Sequence, residues 1–501
     1  MMNIIACDLG TGGVKASLVS GDGLAIARSF VPYDTFYKHS KWHEQRPPDW
    51  WQGVCMSVRN LLEQARCTSA GIAGVALSGH SLVTVPLDKE GKTLAEYVPI
   101  WSDTRATAEA DGFFRDIDYE DWYTTTGNGD PPACYSIFKL MWMKKHQSEL
   151  FNSIDTVLGS KDYINYRLTG VKCTDPSYAS GSGAFNLKKW DYEDRFIRAA
   201  RIPRNIFPPL RPSDAIIGRV TPEASALTGL PQGLPVICGA VDNACMALGA
   251  TGTEQGRAYI SLGSSAWIAV TSSAPALDVR TRPFVFAHAV RGLYTSGVSI
   301  FSAGSSLRWA RDQLCRDLAR DEDAYDLINE MAAGVPVGSR GVLFNPTLAG
   351  GSAQEAHPDT RGSFAGLSLS TTREDMVRAV MEGVALALCE TFESLKPCAG
   401  AERLMLMCGG GSKSPLWRTI FASVFGMSIL KTNIDQDAAT LGAASLVANA
   451  CGLWPGYGRI GEVHITESIT EPLPHYVSQY AALRVIYREW SDRLALIPPP
   501  A

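Results

Sequence analysis

The chain has 501 residues, a length that predicts roughly two to four domains and excludes a single small binding module. Hydrophobic residues make up 46% of the chain and charged residues 19%, with 46 basic against 51 acidic side chains and a net charge of −5. This is the composition of an ordinary globular protein. It carries no general positive charge of the kind that nucleic-acid binding requires, so we expect no nucleic-acid partner.

The N-terminal segment lacks the features of a secretion signal, and no segment is apolar enough to predict a membrane span. MMNIIACDLGTGG has no basic region, and Asp8 interrupts its apolar stretch. The most apolar helical segment, Met376 to Leu388, still contains Arg378 and Glu382. We therefore expect a cytoplasmic protein without a membrane partner. The twelve cysteines are scattered without zinc-type spacing, which favours reduced core cysteines over disulfides or metal ligands.

The first half of the chain opens with short apolar runs that alternate with turn residues. Three strands are predicted between residues 3 and 32, separated by Thr11-Gly12-Gly13 and by Gly21-Asp22-Gly23. Another buried strand is predicted over 72–78, followed by the loop Gly79-His80-Ser81. Helices are predicted over 138–146 and 186–201, and a Pro-rich connector over 202–218.

The opening pattern recurs in weaker form near the middle of the chain. Residues 8–19, DLGTGGVKASLV, and residues 261–272, SLGSSAWIAVTS, each combine an apolar strand, a small-residue turn after Leu-Gly and a second apolar strand. Such a repeat predicts internal duplication. We expect two α/β domains, 1–247 and 248–501, with a boundary near Ala247–Gly256.

The second half also alternates strands and helices, so the whole chain is predicted to be an α/β protein. The apolar strand 403–408 runs into Gly409-Gly410-Gly411-Ser412 and then into a helix over 414–426. A strand, a glycine turn and a helix N-terminus present free backbone N–H groups to an anion or nucleotide. A further helix is predicted to begin at Thr371, with Glu374 completing a capping box.

The first group that could carry chemistry lies at the end of the first predicted strand. Asp8 could hold Mg²⁺ through water, while Thr11 offers a hydroxyl, Lys15 a charge and Gly12-Gly13 a close approach of backbone amides to phosphate. The spacing is not that of a Walker-type phosphate loop, and a plain hairpin with one satisfied aspartate is the alternative. The matching turn at 261–265 favours the phosphate loop, because a nucleotide between two lobes needs a cradle from each.

Two further groups are open to two interpretations. Asp242 follows an apolar strand and is either a general base for a sugar hydroxyl or the cap of the next helix. A hydrolase that uses Ser81 is disfavoured because Val83 stands where a nucleophile elbow needs glycine. His80 is either a satisfied interior histidine or a substrate contact. The role of three tryptophans is also open, since they either face a sugar or pack in the core and at its rim: Trp42, Trp50 and Trp51.

Over essentially its whole length the chain resembles the FGGY carbohydrate kinases, and within them the xylulokinase-like branch. The family's C-terminal signature is matched by Gly362, Phe364, Gly366-Leu367, Asp375-Met376 and Ala379-Val380-Met381-Glu382. Its N-terminal signature is matched by Ser136, Lys139-Leu140, Trp142-Met143 and Lys145-His146, with Cys134 as a departure. Four further segments are similar to the family: 42–45, 101–105, 161–163 and 441–444.

The resemblance implies two actin-like ATPase domains of the ribonuclease H-like kind, with ATP and a sugar or polyol in the cleft between them. It implies that Asp8 is the Mg²⁺-associated aspartate and that Asp242 is the catalytic base. The implied nucleotide-binding residues are Thr11, Gly12, Gly13, Lys15, Gly263, Ser264, Gly304, Arg308, Gly410 and Gly411. The implied sugar-binding residues are Gly79, His80, Trp101, Asp103 and Asp242, with Arg105 in the same segment.

Two departures from the family bear on the sugar rather than on phosphate transfer. Gly79 and Ser81 stand in the loop where xylulokinases carry Met-His-Gly. We therefore expect a sugar pocket that is enlarged or re-aimed at Gly79, with His80 and Asp103 selecting the hydroxyl pattern. Residues 350–354 read Gly-Gly-Ser-Ala-Gln in place of the usual Gly-Glu-Arg-x-Pro.

We therefore predict an ATP-dependent carbohydrate kinase that phosphorylates D-xylulose or a related ketose or polyol. A kinase of another sugar or sugar acid, such as ribulose, gluconate, glycerol or erythritol, is the first alternative. An actin-like, nucleotide-dependent assembly protein is the second, because fold alone does not fix function. The expected partners are the sugar and ATP with Mg²⁺, and the sequence leaves a homodimer open.

Overall fold

The computed structural model describes residues 2–65, 71–351 and 360–497. The elements of the first half are β1 (Asn3–Gly10), β2 (Gly13–Ser20), β3 (Ala25–Pro32), β4 (Phe36–His39), β5 (Trp42–Gln45), α1 (Pro47–Gln64), β6 (Ile72–Gly79), β7 (Val85–Leu87), β8 (Val98–Pro99), α2 (Thr107–Phe113), α3 (Tyr119–Thr126), α4 (Ser136–His146), α5 (Ser148–Asn152), β9 (Thr156–Leu158), α6 (Ser160–Thr169), α7 (Pro176–Ala179), β10 (Phe185–Asn186), β11 (Asp191–Tyr192), α8 (Asp194–Ala199), β12 (Ile216–Arg219), α9 (Pro222–Thr228), β13 (Pro235–Ile237) and β14 (Ala240–Val241). The elements of the second half are α10 (Asp242–Thr251), β15 (Ala258–Leu262), β16 (Ala266–Ser272), β17 (Phe284–Ala287), β18 (Tyr294–Ile300), α11 (Gly304–Leu314), α12 (Ala324–Ala333), β19 (Leu343–Asn345), β20 (Ser363–Ala365), α13 (Arg373–Phe392), β21 (Leu404–Cys408), α14 (Pro415–Phe425), β22 (Ser428–Thr432), α15 (Ala438–Ala450), α16 (Arg459–Val463), β23 (Thr466–Thr470) and α17 (Pro474–Ala495).

The first large sheet is built around β1 and β6. Its strand order is β12-β13-β6-β1-β2-β3, and β14 also pairs with β6. Strands β1, β2 and β3 form an antiparallel meander, whereas β6 is parallel to β1, and β13 and β14 are parallel to β6. Parallel strands end at the same edge of a sheet, so the carboxyl ends of β1, β6 and β14 lie side by side.

The second large sheet repeats this plan. Its strand order is β17-β18-β16-β15-β21-β22-β23. The antiparallel strands β15, β16 and β18 correspond to β1, β2 and β3, and β21 is parallel to β15 as β6 is to β1. Strand β22 is parallel to β21, and the edge strand β23 is antiparallel to it. This shared order is the duplicated α/β architecture that the recurring Leu-Gly pattern predicts.

Helices α10 and α15 pack against each other between the two sheets. One apolar cluster joins them to Ala6 of β1 and to Tyr259 of β15, all almost completely buried. The two helices approach so closely that glycine is required at the contact. An added Cβ would overlap the Ala438 carbonyl oxygen at Gly249 and the Cys245 carbonyl oxygen at Gly442.

Most of the predicted elements are confirmed. The three opening strands are β1 to β3, and the strands predicted over 72–78 and 403–408 are β6 and β21. The helices predicted over 138–146 and 414–426 are α4 and α14. The connector predicted over 202–218 is irregular for most of its length, ending in β12.

Two local predictions are wrong. The helix predicted over 186–201 is a β10–β11 hairpin followed by the short helix α8. Asn186 Oδ1 accepts the Lys188 and Lys189 N–H groups, each at 3.0 Å, and this side-chain turn competes with a helix. The capping box of α13 is formed by Thr372 and Asp375, one residue later than predicted.

Within the described ranges, no helix is long and apolar enough to cross a membrane. The eleven cysteines in these ranges are all free thiols, and most are buried. No group of three or more His, Cys, Asp or Glu side chains in the described part of the chain is placed to hold a metal ion.

The contact between α10 and α15 generates a test of packing. Gly249→Ala should force the two helices apart and lower the Tm, because the new Cβ would overlap the Ala438 carbonyl. Gly112 of α2 has open space around an added Cβ, so Gly112→Ala should leave the Tm unchanged or raise it, because alanine favours a helix over glycine by about 1 kcal/mol. Scanning calorimetry compares the variants. Equal Tm values would contradict the close helix contact.

Candidate active site

The registers of three parallel strands bring Asp8 and Asp242 to one edge of the first sheet. Asp8 of β1 pairs with Ser78 of β6, and Ser78 pairs with Ala240 of β14. Asp242 follows β14 directly as the first residue of α10. The side chains of Asp8 and Asp242 are both only partly exposed. The fold therefore gathers two acids that are far apart in the sequence.

The two acids share a poorly hydrated space. Ser78 Oγ donates a hydrogen bond to Asp8 Oδ1 at 2.7 Å. Desolvation raises the pKa of Asp8, and the Ser78 hydrogen bond and the Lys15 charge oppose this. Desolvation and then the negative charge of Asp8 raise the pKa of Asp242 to about 7, against a weaker opposing bond from the Asn243 N–H. Asp242 is therefore poised to exchange a proton near neutral pH.

The pair also fits a magnesium site. Carboxylate oxygens are the hard ligands that Mg²⁺ prefers, and Mg²⁺ is commonly held by one or two carboxylates, with water and substrate phosphates completing its shell. Asp242, whose pKa is raised by desolvation and by the charge of Asp8, gains from a nearby cation. Lys15 lies opposite Asp8 in the β1–β2 pair and is exposed on the same face.

The β1–β2 turn presents its backbone at this edge. Gly12 is exposed, with open space around an added Cβ, and Gly13 has a φ of 153° that disfavours other residues. Thr11 is fixed from two sides. Gln45 Nε2 donates to its carbonyl oxygen at 2.7 Å, and Trp101 Nε1 donates to its Oγ1 at 2.9 Å. The turn is thus a rigid and accessible backbone cradle of the kind that binds phosphate.

A second backbone cradle lies in the other lobe, between the β15–β16 turn and the start of α11. The Gly304 N–H donates to the Gly263 carbonyl at 2.9 Å, and an added Cβ at Gly304 would overlap that carbonyl. Arg308 Nη2 donates to Ser264 Oγ at 3.0 Å and is exposed. These four predicted nucleotide-side residues therefore form one corner.

The predicted glycines after β21 adjoin that corner. Ser261 of β15 pairs with Cys408 of β21, so the Gly263 turn and the Gly409–Gly411 turn leave the same sheet edge. Gly411 lies against Leu262, where an added Cβ would be 2.5 Å from the side chain. Gly410 is exposed, with open space around it.

His80 lies directly after β6 and is only 1% exposed. Its Nδ1 is 3.0 Å from the Leu9 carbonyl oxygen, a contact that requires the proton on Nδ1 and leaves Nε2 as an acceptor. Nε2 has no hydrogen-bond partner among the described residues. Burial lowers the pKa of His80 to about 4, so the ring is neutral. Trp50 packs edge-on against it at 5.4 Å between ring centres.

Trp101 is 40% exposed beside the first turn, whereas Asp103 is completely buried. Both Asp103 oxygens accept from the Arg105 guanidinium at 2.7 to 3.0 Å, and Oδ2 also accepts the His43 N–H at 2.8 Å. That Asp103 contacts the sugar and selects its hydroxyl pattern remains a prediction, and these hydrogen bonds do not favour it. Its carboxylate is already saturated and holds its own loop in place.

The predicted enlargement or re-aiming of the sugar pocket at Gly79 also remains a prediction, and the packing at Gly79 does not favour it. An added Cβ would lie 2.6 Å from Ser160 Oγ and 2.9 Å from the Lys161 Cβ. A side chain at position 79 would therefore point toward the start of α6, so its absence does not by itself open a pocket. Gly79 is required here because β6 and α6 are so close. The other departure from the family is at residues 350–354, of which 352–354 lie outside the described residues.

A buried polar network that the sequence analysis did not assign supports Asp242. Lys161, with no exposed surface, lies 3.0 Å from Asp175 Oδ1 and is also paired with Asp162. Ser177 Oγ donates to Asp175 Oδ2 and accepts the Val241 N–H at 3.0 Å. Val241 immediately precedes Asp242, so this network holds the backbone that carries the acid.

The same network holds the His80 loop. The His80 carbonyl accepts from Ser160 Oγ at 2.9 Å and from the Tyr178 hydroxyl at 3.1 Å. Ser160 begins α6 next to Lys161, and Tyr178 belongs to α7 with Ser177. The signal for this support in the sequence is the family-like segment 161–163.

Comparison with known proteins relates the chain to one family. Residues 3–249 match the N-terminal domain of the FGGY family of carbohydrate kinases, and residues 258–451 match its C-terminal domain. The Xylulose kinase of Bacillus subtilis is 29% identical, over 97% of this chain and 96% of that protein. The Gluconokinase of the same organism is 26% identical, over 97% and 94%.

Solved structures with the same fold include a xylulose kinase and a gluconate kinase. The xylulose kinase from Rhodospirillum rubrum is 30% identical with a TM-score of 0.88, covering 98% of this chain and 99% of that one. The gluconate kinase from Lactobacillus acidophilus is 26% identical with a TM-score of 0.91, covering 99% and 98%. Similarity at this level identifies the family and leaves the sugar to be argued from the site.

The shared space of Asp8 and Asp242 predicts a pH-dependent effect on stability. A carboxyl with a raised folded pKa stabilises the protein at low pH, and that contribution is lost as the pH rises through about 7. Asp242→Asn should therefore raise the Tm at pH 8 and raise it less at pH 5. Asp116→Asn, at an exposed acid, controls for the lost charge. A Tm gain that is equal at both pH values would contradict the electrostatic strain.

Proposed function

The chain belongs to the FGGY family of carbohydrate kinases, which are sugar phosphotransferases with ATP as the phosphate donor, and we propose that its sugar is an uncharged ketose or polyol of the D-xylulose type. The observation that carries the proposal is Asp242 at the edge of the first sheet with a pKa near 7. The assembly-protein alternative is set aside because the family is enzymatic.

Asp242 is the proposed general base. Its carboxylate accepts the proton of the attacking sugar hydroxyl while the γ-phosphoryl group of ATP is transferred. Asp8 and the neighbouring turn face the phosphates. When bound, Mg²⁺ would neutralise phosphate charge at the Asp8 side of the site. Lys15 adds a fixed positive charge on the same face, opposite Asp8 in the strand pair.

The proposed nucleotide site draws on both lobes, 1–247 and 248–501. The β1–β2 turn offers accessible backbone amides and the Thr11 hydroxyl, while the Gly263 and Gly410 turns offer backbone amides from the other sheet. Arg308 lies at the second corner with its guanidinium exposed. Cradles on two separate sheets are suited to a ligand that the lobes enclose together and protect from water.

His80 is the proposed hydroxyl-recognising side chain. Its Nδ1–H is directed at the Leu9 carbonyl, so its Nε2 lone pair can accept a hydrogen bond from a sugar hydroxyl. A buried acceptor without a partner penalises any ligand that lacks a donor at that point, and this gives strong selectivity. Trp101, exposed beside Thr11, offers an apolar ring face for a sugar.

The charges around this loop favour an uncharged sugar over a sugar acid. Arg105 is held by Asp103 and Glu44, and Lys161 is held by two aspartates. Lys139 donates to two backbone carbonyls. These three cations that border the His80 and Trp101 segments are therefore already engaged. A gluconate carboxylate would have to compete with these contacts, whereas a ketose needs none of them.

A coupled ADP-release screen tests the proposal. D-xylulose, D-ribulose, xylitol, glycerol, erythritol and gluconate are compared at matched concentrations. We expect the highest kcat/KM with a ketopentose or its polyol and a much lower value with gluconate. Asp242→Asn should lower kcat on the accepted sugar by roughly 10²–10⁴. A preference for gluconate would overturn the proposed substrate class, and an active Asp242→Asn enzyme would overturn the proposed base.

The network behind Asp242 predicts a further kinetic effect. Ser177→Ala removes the acceptor of the Val241 N–H, so Asp242 should shift and kcat should fall by about 10-fold. Ser213→Ala is the matched control, because Ser213 Oγ donates to the same Asp175 oxygen at 2.7 Å from outside β14. The kcat of both variants is measured in stopped assays at one temperature, together with the Tm of each variant. Equal losses of kcat would contradict a positioning role for Ser177.

A further inference from the structure

Helix α4 sends one lysine into the protein between the two candidate sugar-binding segments. Lys139 is 1% exposed, and its Nζ donates to the Leu82 carbonyl at 2.8 Å and to the Ile100 carbonyl at 2.6 Å. Leu82 lies two residues after His80, and Ile100 immediately precedes Trp101. One ammonium group therefore joins two loops that are distant in the sequence.

This lysine is a buried cation whose hydrogen bonds go to backbone carbonyls. No carboxylate in the described part of the chain forms an ion pair with Lys139, and its contacts are backbone carbonyls. The negative charge of Asp103 acts on Lys139 from a distance, but the Asp103 carboxylate is hydrogen-bonded to Arg105. Desolvation lowers the pKa of Lys139 to about 8. An apolar residue of similar size would avoid the cost of burying this charge, so stability alone does not account for the lysine.

The loop that it holds is strained. Leu82 has a φ of +62°, a left-handed conformation that is unfavourable for residues other than glycine. Its side chain is 9% exposed and packs against Gly181, where an added Cβ would lie 2.7 Å from Leu82 Cδ2. The backbone after His80 is therefore held in a conformation that it would not adopt when free, and the Lys139 hydrogen bond is one of the contacts that maintain it.

We propose that Lys139 is a positioning residue for sugar recognition, whose ammonium group clamps the Leu82 and Ile100 carbonyls and so fixes His80 relative to Trp101. The inference rests on the proposed function, because it takes these two side chains as sugar contacts. Lys139 is buried behind both loops and acts through them. It accounts for the lysine of the N-terminal signature, to which the sequence analysis assigned no role.

Lys139→Met tests the clamp, because methionine matches the lysine side chain as far as Cε and lacks the ammonium donor. Lys144→Met is the matched control: Lys144 belongs to the same helix and also donates to a carbonyl, that of Arg201 at 2.6 Å, but it is exposed and away from both loops. Kinetics with the accepted sugar and with ATP are measured for both variants of the whole chain. Hydrogen–deuterium exchange without ligand is followed at residues 79–84 and 100–104.

We expect Lys139→Met to raise the KM for the sugar by about 10-fold or more, to leave the KM for ATP unchanged and to speed exchange at both segments. Lys144→Met should match the wild type. An unchanged sugar KM in an active enzyme, an equal rise in both KM values, or unchanged exchange at either segment would overturn the clamp. If Lys139→Met does not fold, Lys139→Arg is tested in its place. A rise in the KM for the sugar alone would support the clamp, and wild-type kinetics would refute it.

The exchange measurement needs no sugar. A wild-type chain that phosphorylates none of the sugars tested would therefore refute the proposed function, while the exchange at 79–84 and 100–104 would still decide whether Lys139 clamps the two segments. The two failures are thus distinguishable.

Discussion

The site depends on holding two carboxylates in one poorly hydrated space against their mutual repulsion. The charge of Asp8 raises the affinity of Asp242 for a proton, and the two acids would not settle side by side in a flexible chain. The register of β1, β6 and β14 is what holds them, since it aligns Asp8, Ser78 and Ala240 across three parallel strands. A slip of one residue in either pairing would turn the side chains to the opposite face of the sheet.

The duplicated lobes share a backbone plan and divide the chemistry. At the position of Asp8 the second hairpin carries Ser261, and its partner across the hairpin is Trp267 instead of a lysine. The two acids of the proposed site therefore lie in the first lobe, and the second lobe adds the cation Arg308. The second lobe contributes turns of glycine and serine, whose carbonyls are bonded internally and whose backbone remains accessible. One copy can act on the sugar and the phosphates, while the other binds without adding a competing acid or base.

Sequence patterns predict what is local and miss what is decided by distant contacts. The β1–β2 hairpin and its repeat could be predicted because strand periodicity and Leu-Gly turns lie within a few residues. The direction of a side chain at Gly79 is decided by Ser160 of α6, and the partners of Asp103 include the His43 N–H. No pattern in a single sequence encodes these contacts. The family resemblance identified the loops, and only the packing shows that Gly79 lies against α6 and that Asp103 is bonded within its own segment.

The charges of three buried cations around the His80 and Trp101 loops are compensated in different ways. This difference distinguishes cations that support the fold from the one that we link to sugar recognition. Lys161 and Arg105 each face two carboxylates, so their charges are balanced within rigid parts of the fold. Lys139 faces carbonyl dipoles, which compensate a charge less fully than a carboxylate does. An incompletely compensated charge is retained where its geometry matters more than its stability. Lys139 meets that condition, because it lies between two loops that must present His80 and Trp101 at a fixed separation. Lys161, within α6, does not.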